Sequence, residues 1–487
     1  MSAPIRPPPL LRKPRYWPLV IIPICLLAPL VMLLGAFVAY RASNAIAVSR
    51  LEAKIKQKGE PLTLADLAAT YPPIPDEENG AILLLELWQQ EDPEFWAAYL
   101  EGKRPLPERR TPHGDDALPL LGSNAKRISR TTELTPENLA AATVFVTEHA
   151  EHFEKLRLAL RKLRFRFPLT LTEGFSMVLP HLAQLKREAQ SFNILALLAI
   201  QNHEPDVALA AIEDMARTGQ TLSIEPTLIS QLVRIVCYDL TINAAERLLS
   251  RHALSPPQLE RLGRVADQIA MPGALRLSFL AERAVFLNVF NLSLMEFAKI
   301  TDSSNEAEET DNYAGFQAGM RLLEFIGLKD ADRRLILETM EQAIALAERS
   351  DARALQECEA LFTEVATRAR RMPPKIFSAM LLPAEEKAAA KFVRLEGHRR
   401  TMLVALAVER YRWRHNGQLP DRLEQLVPDL LPTLPPDPLD DNPLRYKRLP
   451  AGFMVYSIGP DRTDDGGLEP RPGTRQTNFD VTFTIER

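Results

Sequence analysis

The chain has little cysteine, little glycine and no excess of either charge, and each shortage excludes a class of protein. Three cysteines among 487 residues are too few for a disulfide-stapled scaffold. Lysine and arginine number 59 against 63 aspartates and glutamates, so no basic excess points to nucleic acid. The 25% charged and 46% hydrophobic fractions exclude a disordered polyelectrolyte and a polytopic membrane protein. With 20 glycines against 39 prolines, the composition favours helices punctuated by proline.

One long apolar run lies near the N-terminus. Residues 17–40 read WPLVIIPICLLAPLVMLLGAFVAY, without a charge. As a helix this run is about 36 Å long, enough to cross a hydrocarbon core of about 30 Å. Trp17 and Tyr40 lie where interfacial aromatics are found, and Cys25 lacks a lipobox-like context. We predict a cytoplasmic tail over 1–16 and a single transmembrane helix over 17–40.

A cleaved signal peptide is the alternative interpretation of this run. Residues 45–47 (Ala-Ile-Ala) offer a cleavage site, but the run exceeds a signal core and Arg41 interrupts it. Lysines and arginines flank both ends almost evenly, so the positive-inside rule leaves orientation nearly balanced. Because a short tail is easily retained, we expect a bacterial inner-membrane protein with its N-terminus in the cytoplasm and its bulk in the periplasm.

Helical patterns follow the anchor. We predict juxtamembrane helices over 41–100, with starts at Thr63 and Asp76, and a proline-containing linker over 101–134. The body, 135–383, begins with a helix capped at Thr135.

Within the body, the apolar spacing of Leu156, Leu160, Leu163 and Phe167 predicts one helical face. The turn at 203–206 separates two helices of a weakly tetratricopeptide-like array, without a repeating 34-residue period. The remaining predictions for the body are an acidic loop over 301–312 and long helices over 318–349 and 384–415.

Candidate chemistry in the body is sparse. Glu148 and His152 form an i,i+4 pair that could hold a metal, although a solvated helical face is the alternative. Cys237 and Cys358 have no CxxC partner and are interpreted as buried thiols, with a single disulfide left open. The basic stretch 155–166 fits either an exposed helical face or contact with anionic headgroups or an acidic partner. The sequence contains no phosphate-binding loop, dinucleotide fingerprint, GxSxG or HExxH, so we predict no catalytic residue.

The C-terminal residues 384–487 carry a denser pattern. A helix ends near Gly417, and a short helix turns Leu423 and Leu426 inward. Three predicted strands follow, over 444–447, 453–457 and 478–485. The sequence therefore predicts a mainly α chain with a small α+β C-terminal module containing a short antiparallel sheet.

The order of a helix, G-x-LP, L-x-x-L, LPPDP, PLRY, YSIGPD and DDGG resembles the C-terminal part of type II secretion major pseudopilins. It is also similar to the tail of large membrane-anchored proteins of planctomycete and verrucomicrobial bacteria. Those proteins carry an ER-x-x-F-like segment, which residues 282–286 match loosely, and a post-anchor motif similar to PIPDEENGA. The resemblance departs from a pilus subunit because no pilin-type leader precedes the span and a long body separates the span from the module.

The pseudopilin resemblance implies a calcium-binding loop. Carried over, its candidate ligands are Ser457, Asp461 and Asp480, with Asp464 or Asp465 nearby. Clustered carboxylates repel one another unless a hard cation or water solvates them, and a plain polar turn is the alternative. The loop is not an EF-hand, because Pro472 stands where that motif has glutamate.

Three functions remain open at this point. The first is a membrane-anchored envelope protein of structural or interaction type, whose partners are the lipid bilayer and a protein bound by the body or the module. The second is an accessory component of a type II secretion apparatus. The third is a periplasmic hydrolase using Glu148, His152 or the Asp461 cluster.

Overall fold

The computed structural model describes residues 17–104, 106–107, 128, 130–292, 327–349, 351–370, 375–469 and 479–487. Side chains are described throughout these ranges except at 17–26, 352 and 355. As predicted, the fold is mainly helical with a small antiparallel sheet near the C-terminus. The acidic loop at 301–312 and the predicted helix start at 318 lie outside the described residues.

The helices are α1 Trp17–Gln57, α2 Leu64–Ala69, α3 Gly80–Glu91, α4 Pro93–Leu100, α5 Pro136–Glu148, α6 Ala150–Leu160, α7 Pro180–Gln201, α8 Pro205–Gln220, α9 Leu228–Arg251, α10 Pro256–Gln268, α11 Ala274–Val289, α12 Leu328–Arg349, α13 Ala352–Ala369 and α14 Ile376–Arg414. The strands are β1 Arg445–Leu449, β2 Gly452–Ser457 and β3 Val481–Glu486. Short 3-10 turns lie at Asp76–Glu78, Leu171–Ser176 and Leu423–Leu426.

The apolar run and the juxtamembrane segment form one continuous helix, α1. Its apolar side chains from Leu27 to Val38 are mostly exposed, whereas Val48 and Ile55 are buried against the body. Two described helices, Leu27–Gln57 and Leu228–Arg251, are long and apolar enough to cross a membrane. The second is mostly buried inside the body, as expected of a core helix.

The helices around α1 run along a common direction. Arg41 packs beside Gly327 and Lys58 pairs with Glu341, so α1 and α12 lie parallel. Arg276 on α11 pairs with Glu348 near the end of α12, which makes α11 antiparallel to α12. The end of α11 and the start of α12 therefore lie near Arg41, where the exposed part of α1 meets the body. The end of α13 and the start of α14 lie there too, because the N–H of Lys375 donates to Ala369 and the N–H of Phe377 donates to Asp332 on α12.

The helices α7, α8 and α9 pack against one another as the centre of the largest core. The predicted turn between α7 and α8 is confirmed, with Pro205 in the first turn of α8. Side chains such as Leu209, Ile212 and Met215 have no exposed surface. Burying such a side chain fully contributes roughly 1.5–3 kcal/mol, so this packing holds the array together.

The C-terminal sheet has the strand order β1-β2-β3, with both pairs antiparallel. Phe453 pairs with Ile485 and Val455 with Phe483, and all four side chains are fully buried. Gly452 begins β2 at a φ of 133°, and a Cβ there would overlap the carbonyl oxygen of Ile485. The sheet packs on α14, which gives the predicted module a helix-and-sheet core.

Several sequence-based boundaries are wrong in detail. The helix expected to start at Asp76 is a 3-10 turn, and α3 begins after Asn79, whose side chain accepts from the N–H of Ala81. The apolar face predicted through Leu163 ends earlier, because α6 stops at Leu160. Leu163 is 97% exposed, whereas Phe167 is buried from an extended segment. The helix expected from 384 begins at 376 and accommodates Pro383.

Candidate functional site

Ser457, one of the candidate calcium ligands, is held by a buried aspartate. Its hydroxyl donates a hydrogen bond to Oδ1 of Asp437 at 2.7 Å, and the N–H of Ile458 donates to Oδ2 at 3.1 Å. Arg445 lies 2.5 Å from the same carboxylate, which has no exposed surface. Asp437 belongs to the LPPDP segment, in the turn before β1. Its carboxylate therefore links this turn to the end of β2. No motif in the sequence singled out Asp437, although its place in a proline-rich turn was a usable signal.

The aspartates of the following loop form local turns. Oδ1 of Asp461 accepts from the N–H of Thr463 at 3.2 Å, and Oδ1 of Asp464 accepts from the N–H of Gly466 at 3.0 Å. Asp465 is exposed. Short side chains that bond their own backbone two residues on are typical of polar turns.

Asp480 is the buried member of the candidate set. Its Oδ2 accepts from the N–H groups of Gly467 at 2.7 Å and Leu468 at 3.1 Å, which fastens the loop to the start of β3. Burial raises the pKa of Asp480 above its ordinary value, even though these backbone donors oppose the shift. Its Oδ1 is buried with no hydrogen-bond partner among the described residues.

The described residues contain no group of three or more histidine, cysteine, aspartate or glutamate side chains that could hold a metal ion. Residues 470–478 of the same loop lie outside the described part. Calcium binding by Ser457, Asp461, Asp464, Asp465 and Asp480 therefore stays a prediction.

The structure does not arrange Glu148 and His152 as predicted. Glu148 is exposed at the end of α5, whereas His152 lies on α6 with Nε2 2.8 Å from Glu188 and Nδ1 2.7 Å from Glu91. Burial favours the neutral imidazole, but the two carboxylates outweigh it and raise the pKa of His152 to about 10. Trp88 also donates to Glu188, at 3.0 Å. His152 is therefore a charged link between α6, α3 and α7.

A fully buried polar cluster joins α7 to α9. Nε2 of His181 lies 3.0 Å from Glu225, and the hydroxyl of Ser230 donates to the same carboxylate at 2.5 Å. The imidazole stacks on Phe167 at 4.5 Å between centroids. A histidine, a carboxylate and a hydroxyl have the composition of a catalytic site, but none of them has exposed surface. Without access for a substrate, the cluster stabilises the helix junction.

The segment that resembles ER-x-x-F forms a second buried cluster. Arg283 has no exposed surface and pairs with Glu60 and Glu341, while its Nη2 donates to the carbonyl of Pro61 at 3.0 Å. This guanidinium joins the loop after α1 to α11 and α12. Phe286, the last residue of the motif, is also buried.

Glu282, next to Arg283, is half-buried and forms a carboxylate pair with the buried Glu385 on α14. Burial raises the pKa of Glu282 to about 7, against a weaker opposing hydrogen bond from the N–H of Leu228. Burial and the nearby Glu282 carboxylate raise the pKa of Glu385 on α14 as well. Among the described residues, no group donates a hydrogen bond to Oε2 of Glu385. At neutral pH the pair therefore favours binding a proton.

An apolar cavity of about 270 Å³ lies where α12, α13 and α14 meet the start of α11. Its walls are mainly aliphatic, and Cys358 and Phe392 lie among them. Arg399 and Arg400 both bond Glu396 at 2.7 Å at one side of the cavity. The cavity is small for a drug-sized ligand, so its charged groups chiefly stabilise one another.

Cys237 and Cys358, the two cysteines whose side chains are described, are free thiols, so the disulfide left open between them is absent from the structure. Burial raises the pKa of each thiol to about 12, and neither is a nucleophile at neutral pH.

The predicted basic stretch is largely engaged within the chain. Its internal partners are Glu151 for Lys155, Asp214 for Arg157, the Glu77 carbonyl for Lys162 and Glu78 for Arg164. These contacts favour the interpretation of an exposed, internally paired face.

A functional proposal for this chain rests on its fold and on these side-chain clusters. No protein-family model, no curated protein and no solved structure matches the chain.

Proposed function

We propose that this chain is a single-pass membrane protein of interaction type, with its N-terminus in the bacterial cytoplasm and its body in the periplasm. The supporting observation is α1, which exposes apolar side chains from Leu27 to Val38 and then continues into the body without a break. Exposed apolar surface of this extent is unfavourable in water and favourable in lipid.

The second half of α1 is fastened to the body. Val48, Ile55 and Leu62 pack with Leu287 and Leu337 in one apolar cluster. Because α1 is one continuous helix whose second half packs on the body, the angle at which it crosses the bilayer fixes the orientation of the body. The body therefore stands on the bilayer in a defined orientation.

The sheet of the C-terminal module lies on the later turns of α14, where Gly397 packs beside Ser457 and Arg412 donates to the carbonyl of Arg487. Helix α14 has 39 residues, so it is about 58 Å long. It begins beside the start of α12, near the exit of the span, and carries the sheet on its later turns. We propose that it holds the module away from the bilayer, where a protein partner can contact it.

A secretion-apparatus accessory is the second candidate, favoured by one observation. The three-stranded antiparallel sheet packs on the long helix α14, an arrangement consistent with the pseudopilin resemblance, while β3 also contacts α9. The hydrolase alternative loses its supporting pair, because Glu148 and His152 lie on separate helices and His152 is held between two carboxylates.

Alkaline carbonate extraction tests the anchor. The full chain should stay with the membranes, while a Leu30→Glu, Leu34→Glu double variant should move to the supernatant. The matched control, Val144→Glu with Leu158→Glu, places the same charges on exposed apolar positions of the body and should stay in the pellet. Release of the unaltered chain, or its recovery without the first forty residues, would contradict the proposal.

Orientation and partner contact need separate readouts. Protease added to spheroplasts should digest the body and spare a tag fused before residue 1; the reverse pattern contradicts the orientation.

Crosslinking in membranes, with and without residues 416–487, tests whether the module contacts a partner. Partners that persist after this deletion would assign the contact to the helical body and remove support for the secretion candidate.

A further inference from the structure

Several helix ends lie together where the span leaves the body. Arg41 packs beside Gly327, immediately before α12. The N–H of Phe377, at the start of α14, donates to Asp332 on the first turns of α12 at 2.8 Å. The N–H of Lys375 donates to the carbonyl of Ala369 at 2.9 Å, which brings the end of α13 to the same place. We call this surface the base; its members are Tyr40, Arg41, Lys329, Arg368, Arg370, Lys375, Ile376 and Met380.

Among the described residues, the base carries a local excess of positive charge. None of its five basic side chains forms an ion pair with a described residue. The described acidic groups nearby are Asp330 beside Lys329, and Glu364 and Glu386, which line one cavity with Arg368. Asp332 is buried and accepts from the backbone of Phe377 and Ser378.

The next arginines along α12 do not add to this excess. Arg333 pairs with Glu52 on α1 at 2.6 Å, and Arg334 pairs with Glu338 at 2.7 Å. On α12, the basic side chain without an ion-pair partner among the described residues is therefore Lys329, at the end next to the exit of the span.

Exposed apolar side chains accompany these charges. Ile376 and Met380 are one helical turn apart on α14, and each is 44% exposed. Tyr40, at the exit of the span, is 40% exposed, and tyrosine is enriched at membrane interfaces. Basic and apolar residues together are the combination that binds a lipid surface.

We propose that the base binds anionic phospholipid headgroups of the membrane that α1 crosses, with Ile376 and Met380 entering the interface. This inference rests on the proposed transmembrane anchor. The continuity of the base with the span selects lipid as the occupant, because the bilayer begins where α1 leaves the body. Juxtamembrane basic residues are attracted to an anionic surface within about a Debye length.

The test uses the full chain reconstituted in two kinds of vesicle: phosphatidylcholine alone, and phosphatidylcholine with an equal part of phosphatidylglycerol. A fluorophore on Ile376→Cys reports contact with headgroup spin-labelled lipid by quenching. The matched control carries the fluorophore on Trp413→Cys, an exposed position at the opposite end of α14. Unaltered protein, labelled in parallel, corrects for the native cysteines.

We expect quenching at Ile376→Cys to exceed that at Trp413→Cys by about threefold or more, and to increase with phosphatidylglycerol. An Arg368→Gln, Arg370→Gln, Lys375→Gln variant should lose that increase. A control with Arg264→Gln, Arg414→Gln and Lys447→Gln, which removes the same charge far from the base, should keep it.

The possible failures are distinguishable. A chain that does not float with either vesicle overturns both the anchor and the lipid contact. A chain that floats but shows equal quenching at the two positions overturns the lipid contact alone. If quenching at Ile376→Cys does not increase with phosphatidylglycerol, or if the increase survives the triple substitution, the role of anionic headgroups is overturned and an acidic protein becomes the partner for the basic side chains.

Discussion

Arg283 on α11 forms an ion pair with Glu341 on α12, although the arginine side chain has no exposed surface. Glu60, in the loop after α1, lies 3.0 Å from the same guanidinium, and Lys58 reaches Glu341 at 2.8 Å. The guanidinium of Arg283 therefore joins the junction between α1 and the body to α11 and α12. Without it, the mostly buried carboxylates of Glu60 and Glu341 would keep only Arg276 and Lys58 as ion-pair partners among the described residues.

Arg283→Met should destabilise the chain strongly. Removing one partner of a buried ion pair costs about 3–5 kcal/mol when the remaining charge is left uncompensated. Because Arg276 and Lys58 still pair with Glu60 and Glu341, we expect a loss at the lower end of that range. Chemical denaturation of the full chain in detergent measures the loss. The control is Arg349→Met: this arginine is well exposed and pairs with Asp351 and Glu357, so solvent screening should make the change far less destabilising. Equal effects would contradict the importance of burial.

The charged state of His152 should make stability depend on pH. Its folded pKa of about 10 lies above the ordinary 6.5, so its contribution is fully present below about pH 6.5 and is lost as pH rises toward 10. The melting temperature should fall over this window, because the free energy of unfolding decreases by at most about 1.4 kcal/mol per pH unit. His152→Gln should flatten the profile, and the exposed His415→Gln should not. A wild-type profile that is already flat would disprove the charged link.

Local helix signals in the sequence located much of the fold. Thr63 and Thr135 cap α2 and α5 as predicted, because each side chain accepts from a backbone N–H three residues later. The alternation of Val481, Phe483 and Ile485 located β3, because the inward face of a strand repeats every second residue.

The buried clusters could not be predicted in this way. Arg283 meets Glu60 and Glu341, and His152 meets Glu91 and Glu188, only through long-range packing of helices. The i,i+4 spacing of Glu148 and His152 predicts a pair only on one unbroken helix. In the structure, His149 separates α5 from α6. Asp437 was missed because its partners come from a strand that follows it.

Glu385→Gln should stabilise the chain at neutral and alkaline pH. The raised pKa of about 7 for Glu282, against an ordinary 4.5, means that ionisation of this pair opposes folding progressively from about pH 4.5 to 7. The amide removes one charge while keeping the shape of the side chain, so melting temperature should rise above pH 7 and change little below pH 4.5. The control is Glu386→Gln, a less buried neighbour on the same helix. A rise that is equal at both pH values would contradict the electrostatic explanation.

Calcium should raise the melting temperature of the full chain in detergent if the predicted loop binds it, because a ligand of the native state stabilises that state by mass action. Asp480→Asn should abolish the rise, since this substitution removes the carboxylate with a buried, unpartnered Oδ1 among the described residues. Ser457→Ala provides the contrast. Its hydroxyl is already bonded to Asp437, so the variant should lower the melting temperature by the same amount with calcium or with a chelator. Magnesium serves as the ionic-strength control. No rise in millimolar calcium, or the same rise in magnesium, would show that the loop is a polar turn held by Asp480 and its backbone donors.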